Sequence, residues 1–208
     1  MASADLRAFV RANLPDPPAR VLEVGAGAGR LALALRAAGY EVLAIDPDPS
    51  GDDVRAVALS ELDEPAGSFA AAVAVVSLHH VDPLEESCRR LGELVEPGGT
   101  LVVDEFDVGA FDLGAAAWWL EQRRMLGAAE ASTADELVEV HRAHLHPLDE
   151  IIRALEAQFD VAPPLRGAYL YRWDLDESVR NVEEDLIARG QLPAVGARLL
   201  ASPKAGSG

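Results

Sequence analysis

The chain has 208 residues, 50% of them hydrophobic, which suits one domain with a sizeable core. Lysine and arginine number 18 against 35 aspartates and glutamates, a formal net charge of −17. Such a surface repels phosphate backbones and anionic headgroups, which argues against nucleic-acid substrates and a membrane-surface role. Cys88 is the single cysteine, so no internal disulfide can form; its setting, EESCRRLGELV, has helical spacing and suits a core or boundary residue. No apolar run reaches the length of a membrane span, and the first residues mix charged and apolar side chains without a signal-peptide core. The expected compartment is the cytoplasm, with a monomer or a homodimer equally compatible.

In chain order, residues 5–14 form a short amphipathic helix with Leu6, Phe9, Val10 and Leu14 on one side, ended by Pro15, Pro17 and Pro18. Val21, Leu22 and Val24 make a buried strand; Glu23 interrupts the run. Gly25, Gly27 and Gly29 then alternate with Ala26 and Ala28, and the leucine- and alanine-rich stretch that follows favours a helix. Residues 41–45 are a second strand, closing at Asp46 before Pro47 and Pro49. A third strand is predicted over 54–59, followed by an acidic, turn-rich segment over 60–67. The unbroken apolar run 69–78 suits a central parallel strand, with His79 and His80 at its carboxyl end. Residues 83–94 read as a helix, Pro97, Gly98 and Gly99 as a turn, and 100–103 as a fifth strand closing at Asp104. Beyond it the patterns predict helices over 112–126, 134–143, 147–159 and 177–189. Strands follow over 166–173 and 195–201, and residues 203–208 form a polar tail.

A strand, a glycine turn and a helix start let backbone approach a ligand closely and leave N–H groups free to bind it. The dinucleotide fingerprint needs a third glycine where Arg30 stands, so GxGxxG fails and a nicotinamide-dependent oxidoreductase is the weaker reading. Asp46, at the end of the next strand, suits the ribose hydroxyls of a nucleoside in either class.

The GxGxG spacing after Glu23 resembles the first motif of the class I S-adenosylmethionine-dependent methyltransferases. The stretch GSFAAAVAVVSLHHVDPLEESCRRLGELVEPGGTLVV resembles the quinone-biosynthesis branch of that superfamily, with Arg90, Leu91, Pro97, Gly98 and Gly99 in the matching places. The resemblance covers about residues 18 to 104. It implies a three-layer αβα sandwich around a Rossmann-like, mostly parallel seven-stranded sheet, its last strand antiparallel, with a helical insertion after the fifth strand. It also implies a single domain over 1–208, with a cofactor half over 18–104 and a substrate half over 105–201. The cofactor that the resemblance implies is S-adenosyl-L-methionine. Its implied contacts are Glu23, Gly25, Ala26, Gly27, Gly29, Asp46, Pro47, Ser60, Glu61, Leu62, Ser77 and Leu78. The sequence departs from the family at Ala70, where aspartate follows GSF, and at Ala58, where an acidic residue often meets the adenine amino group. These departures motivate a second reading, a methyltransferase-fold binding or partner protein without turnover.

Methyl transfer to a hydroxyl needs a base, and histidine titrates near working pH. His79 and His80 lie beyond a strand carboxyl end, where open α/β sheets place their sites; the competing reading is a histidine packed under the following helix. In HRAHLH, His141 and His144 share a helix face without an evident third or fourth metal ligand, so no metal site is expected and His144 is a candidate for the acceptor pocket. Asp104, Glu105 and Asp107 read as a solvated acidic loop. Trp118 and Trp119 must point in different directions on a helix; one packs in the core and the other, taken as Trp118, lines a pocket for an apolar or aromatic small molecule.

Overall fold

The computed structural model describes residues 4–128 and 132–205. Its sheet runs β3-β2-β1-β4-β5-β8-β6, with β7 also pairing β8. The strands are β1 (Arg20–Val24), β2 (Glu41–Asp46), β3 (Arg55–Ala56), β4 (Phe69–Val75), β5 (Val95–Phe106), β6 (Phe159–Val161), β7 (Leu165–Gly167) and β8 (Gly196–Pro203). β1 to β5 are mutually parallel, whereas β8 is antiparallel to β5, β6 and β7.

Two apolar layers sandwich the sheet because its central strands are hydrophobic on both faces. On one face Val21, Val73 and Val102 meet Leu6 and Val10 of α1 (Ala4–Ala12) and Leu31 and Leu35 of α2 (Arg30–Ala37). On the other, Leu22, Val24 and Val103 meet Leu84, Cys88 and Leu91 of α3 (Leu84–Leu94) and Ile151 and Leu155 of α6 (Leu148–Glu156). Each fully buried leucine contributes about 2 kcal/mol by leaving water. Burial pushes the Cys88 thiol up to about 12, so this cysteine is a core residue and not a nucleophile. A third cluster lies past the end of β5. There Phe106, Phe111, Trp119, Leu120 and Val138 join α4 (Leu113–Met125) to α5 (Ala134–His144). Asp112 caps α4, and Thr133 with Glu136 forms a capping box on α5. The helical insertion thus roofs the carboxyl edge of the sheet.

The three-layer, mostly parallel architecture agrees with expectation, and the differences have local causes. The sheet has eight strands because Pro163 and Pro164, which lack an N–H, split the outer edge strand into β6 and β7. The third strand shrinks from 54–59 to Arg55–Ala56. β5 begins at Val95 and makes an irregular excursion across Pro97–Gly99, where the register against β4 shifts. The strand expected over 166–173 stops at Gly167 and becomes a 3₁₀ turn at Leu170–Arg172. The cause is Glu183 on α7 (Arg180–Ala188), whose fully buried carboxylate accepts the N–H groups of Tyr169, Leu170 and Tyr171 at 2.8, 2.9 and 2.8 Å. Those donors are lost to any strand ladder. Pro147 precedes α6 as its N-cap and is not its first helical residue. The polar tail expected over 203–208 begins in β8, and residues 206–208 lie outside the described residues.

Candidate active site

Gly25, Gly27 and Gly29 all have positive φ, at 68°, 52° and 69°. L side chains avoid that region, which explains why glycine recurs at every second position. A Cβ on Gly25 would lie 2.2 Å from the Cβ of Ser77, so the loop passes against the end of β4 only because this residue is glycine. The loop is fastened to β2 twice. Ala26 N–H donates to the Ile45 carbonyl at 2.9 Å, and Gly27 N–H donates to Oδ2 of Asp46 at 2.9 Å. The other Asp46 oxygen accepts from Asp48 N–H at 2.9 Å.

Beneath this loop lies Glu23, only 4% exposed. Burial raises its pKa from 4.5 to about 7, opposed by a hydrogen bond from the Ala32 N–H and by the charge of Arg36. Oε2 of Glu23 has no hydrogen-bond partner among the described residues. Ala32 is in the first turn of α2, so Glu23 braces the helix start from below and does not line the cleft.

Two cavities open at the carboxyl edge of the sheet. A cleft of about 340 Å³ is walled by Gly25, Asp46, Pro47, Val57, Ala58, Leu59 and Ser77, among others. A second cavity, of about 440 Å³, is walled by His79, Phe106, His141, His144, Tyr169 and Trp173 with their aliphatic neighbours. Val76 and His80 line both and mark where the two meet. Val76 has φ 52°, a strained value for a β-branched residue, and its N–H is held by the Asp104 carbonyl at 2.7 Å. Strain therefore sits at the junction of the two spaces.

The turn Leu78–His80 is organised by Glu105, which is 0% exposed. Oε1 accepts from Ser77 N–H at 2.9 Å and Leu78 N–H at 2.6 Å; Oε2 accepts from Phe106 N–H at 3.2 Å and pairs with Nδ1 of His79. The acidic loop expected at Asp104, Glu105 and Asp107 is consequently not solvated. All three side chains are buried and committed: Asp104 to Arg172 at 2.5 Å and Arg198 at 2.9 Å, and Asp107 to Arg166 at 2.6 Å. Burying a carboxylate is tolerated only with such partners.

Other predicted residues divide in the same way. His80 is exposed at the junction, and its pKa is lowered by partial desolvation and by the neighbouring His79 and His141, against the opposing charge of Glu105. His79 is 3% exposed and faces the second cavity. His144 also lines it, with Nδ1 donating to the Val140 carbonyl at 2.7 Å. Ser77 lines the first cleft, and its buried Oγ has no partner among the described residues. Leu78 and Leu62 point into the core, while Ser60 and Glu61 stand outside the wall, which is built three residues upstream of the expected Ser60, Glu61 and Leu62 by Val57, Ala58 and Leu59. Arg90 donates to the carbonyls of Leu62 and Glu64 from 2.6 to 2.9 Å and so fastens that segment to α3. Trp118 is half-buried against the third cluster and lines neither cavity. Its neighbour Trp119 stacks on Trp173, and Trp173 reaches the cavity. Tyr169 and Trp173 come from the aromatic-dense stretch AYLYRW, which is the sequence signal for this wall, whereas Phe106 at the end of β5 carries no such signal.

Fold and cleft together define a Rossmann-like protein with an open cleft at the carboxyl ends of β1, β2 and β4, where sheets of this kind take their ligands. Residues 2–158 match the family described as a methyltransferase domain, and the chain belongs to that family. A ubiquinone biosynthesis O-methyltransferase of Xanthomonas campestris pv. campestris is 37% identical over 109 residues, covering 45% of this chain and 45% of that protein. The chain spans less than half the length of the curated relatives it matches. An S-adenosylmethionine-dependent methyltransferase from Mesorhizobium loti shares the fold, with a TM-score of 0.63 at 16% identity over 96% of this chain and 98% of that one. So does phosphoethanolamine N-methyltransferase 2 of Haemonchus contortus, crystallised with S-adenosyl-L-methionine, with a TM-score of 0.63 at 14% identity over 97% of this chain and 53% of that one. The family resemblance read from the glycine loop and the LHH–PGG block is borne out.

Proposed function

We propose that this chain is an S-adenosylmethionine-dependent methyltransferase acting on a small organic acceptor. The observation that carries this reading is the meeting of the two cavities at Val76 and His80, one walled by Gly25 at the start of the left-handed glycine loop and by Asp46, the other by aromatic rings. The residues present fit the cofactor. The loop backbone clears a close approach, the buried Ser77 Oγ lacks a partner among the described residues, and Asp46 offers carboxylate lone pairs at the end of β2. Gly25, Gly27, Asp46, Pro47 and Ser77 would hold it, with Val57, Ala58 and Leu59 against the base. When bound, S-adenosylmethionine supplies an activated methyl group on a sulfonium. The protein's part is to align the acceptor, exclude water and manage the acceptor's proton. Both cavities fall within the range of small-molecule sites. Residues 18–104 then form the cofactor half and 105–201 the acceptor half of one domain. The acidic surface and the absence, among the described residues, of a helix long and apolar enough to cross a membrane fit a small acceptor.

Calorimetric titration with S-adenosylhomocysteine tests the reading. Micromolar binding is expected, weakened at least tenfold by Asp46→Ala; no binding to the wild-type chain overturns it. A second reading, a binding protein without turnover, has one specific support, since Ala58 stands in the cleft wall without a carboxylate. Tight product binding with no methylated species across acceptor panels would favour it.

A further inference from the structure

We propose that Glu105 is a positioning residue that fixes His79 as the base of this site, and that the acceptor therefore presents a hydroxyl group. The inference rests on the methyltransferase reading and deepens it. Glu105 already accepts three backbone N–H groups through its two oxygens, and a carboxylate in that role has only lone pairs to offer. The His79 nitrogen paired with it must then be the one that carries hydrogen, so Nδ1 donates and the neutral ring keeps its lone pair on Nε2. Among the described residues no protein group is hydrogen-bonded to Nε2, while the ring lines the second cavity. The backbone is fixed as well: the His79 carbonyl accepts His146 N–H at 2.9 Å, and the Leu78 N–H is held by Glu105.

His80 lacks this support. Its ring is exposed, and no hydrogen bond fixes it among the described residues. The other titratable groups around His79 are His141 and His144 from α5, Tyr169 from the Leu170–Arg172 turn, and, behind the His146 contact, Glu150. Tyr169 is held protonated far above neutral pH by burial, so it does not compete as a base. A neutral amine attacks without prior loss of a proton, and a thiol ionises readily; an alcohol or phenol is the acceptor for which a fixed base matters most. In the step itself, the O–H bond breaks and its proton passes to Nε2 of His79. The freed pair forms the new oxygen–methyl bond, and the sulfur–methyl pair stays on sulfur.

The full chain labelled with ¹⁵N-histidine, with and without S-adenosylhomocysteine, gives the decisive readout. In the wild type His79 should carry its proton on Nδ1, with Nε2 bare. In Glu105→Gln the amide donates instead, and the proton should move to Nε2. With 3,4-dihydroxybenzoate as hydroxyl probe, kcat should fall at least about 100-fold in Glu105→Gln and in His79→Ala, with KM changed only a few-fold. The double variant should be no worse than either, and S-adenosylhomocysteine affinity should stay near wild type in His79→Ala, whose ring does not line the first cleft. Protonated Nε2 in the wild type, or a kcat in His79→Ala near the wild-type value, overturns the assignment even if Glu105→Gln fails to fold. A wild type that binds S-adenosylhomocysteine but methylates no hydroxyl probe also counts against it, whereas failure to bind S-adenosylhomocysteine at all rejects the parent reading instead.

Discussion

Glu23→Gln should make the protein more stable at alkaline pH while leaving it nearly unchanged in acid. The wild-type carboxyl is buried beneath α2 with one oxygen unpartnered among the described residues, and its pKa is raised from 4.5 to about 7. Between those values the folded chain keeps a proton that the unfolded chain has released, so stability falls as pH rises through this window and levels off above it. The full cost of ionising Glu23 in the folded state is about 3 kcal/mol. Glutamine resembles the protonated acid and carries no such dependence. Urea unfolding at pH 5 and pH 8.5 should show the stability gap between variant and wild type widening by about 2–3 kcal/mol, all other titrations cancelling in the difference. A gap that stays constant within about 0.5 kcal/mol would show that Glu23 is solvated or paired in a way this geometry does not contain.

Gly25→Ala must place a methyl group 2.2 Å from Ser77 Cβ at a positive φ, so calorimetry should find no S-adenosylhomocysteine binding and unfolding should show a loss of at least about 1–3 kcal/mol. Arg198→Met removes one of the two guanidinium partners of buried Asp104 and the 2.6 Å link from β8 to Asp5 on α1; denaturant unfolding should report a loss of about 3 kcal/mol. Ala58→Asp restores a carboxylate to the cleft wall and should tighten S-adenosylhomocysteine several-fold, an effect absent with S-methyl-5′-thioinosine, which lacks the exocyclic amine.

Local geometry made part of this molecule legible in its sequence. Alternating glycines announce backbone that no other residue adopts readily, and all three have the left-handed φ this implies. Asp46 could be placed because proline ends the strand just after it, and α3 because Leu84, Cys88 and Leu91 recur at helical spacing. What could not be read depends on partners far away in the chain. Glu105, Asp104 and Glu183 look like ordinary surface acids until distant backbone N–H groups or arginines close around them. The aromatic run after Arg166 has the propensity of a strand, yet the Glu183 carboxylate takes its N–H groups and turns it into a cavity wall. Choosing between Trp118 and Trp119 required knowing where Trp173 would lie.

In the proposed function the loop after β1 and the carboxylate at the end of β2 grip an adenosyl cofactor next to the aromatic cavity. A crystal structure with S-adenosylhomocysteine tests this most directly. The ribose is expected at Asp46, the amino-acid end along Gly25–Gly29, and the sulfur beside Val76 and His80. Clear density for the compound elsewhere, or an empty cleft at saturating concentration, would contradict it.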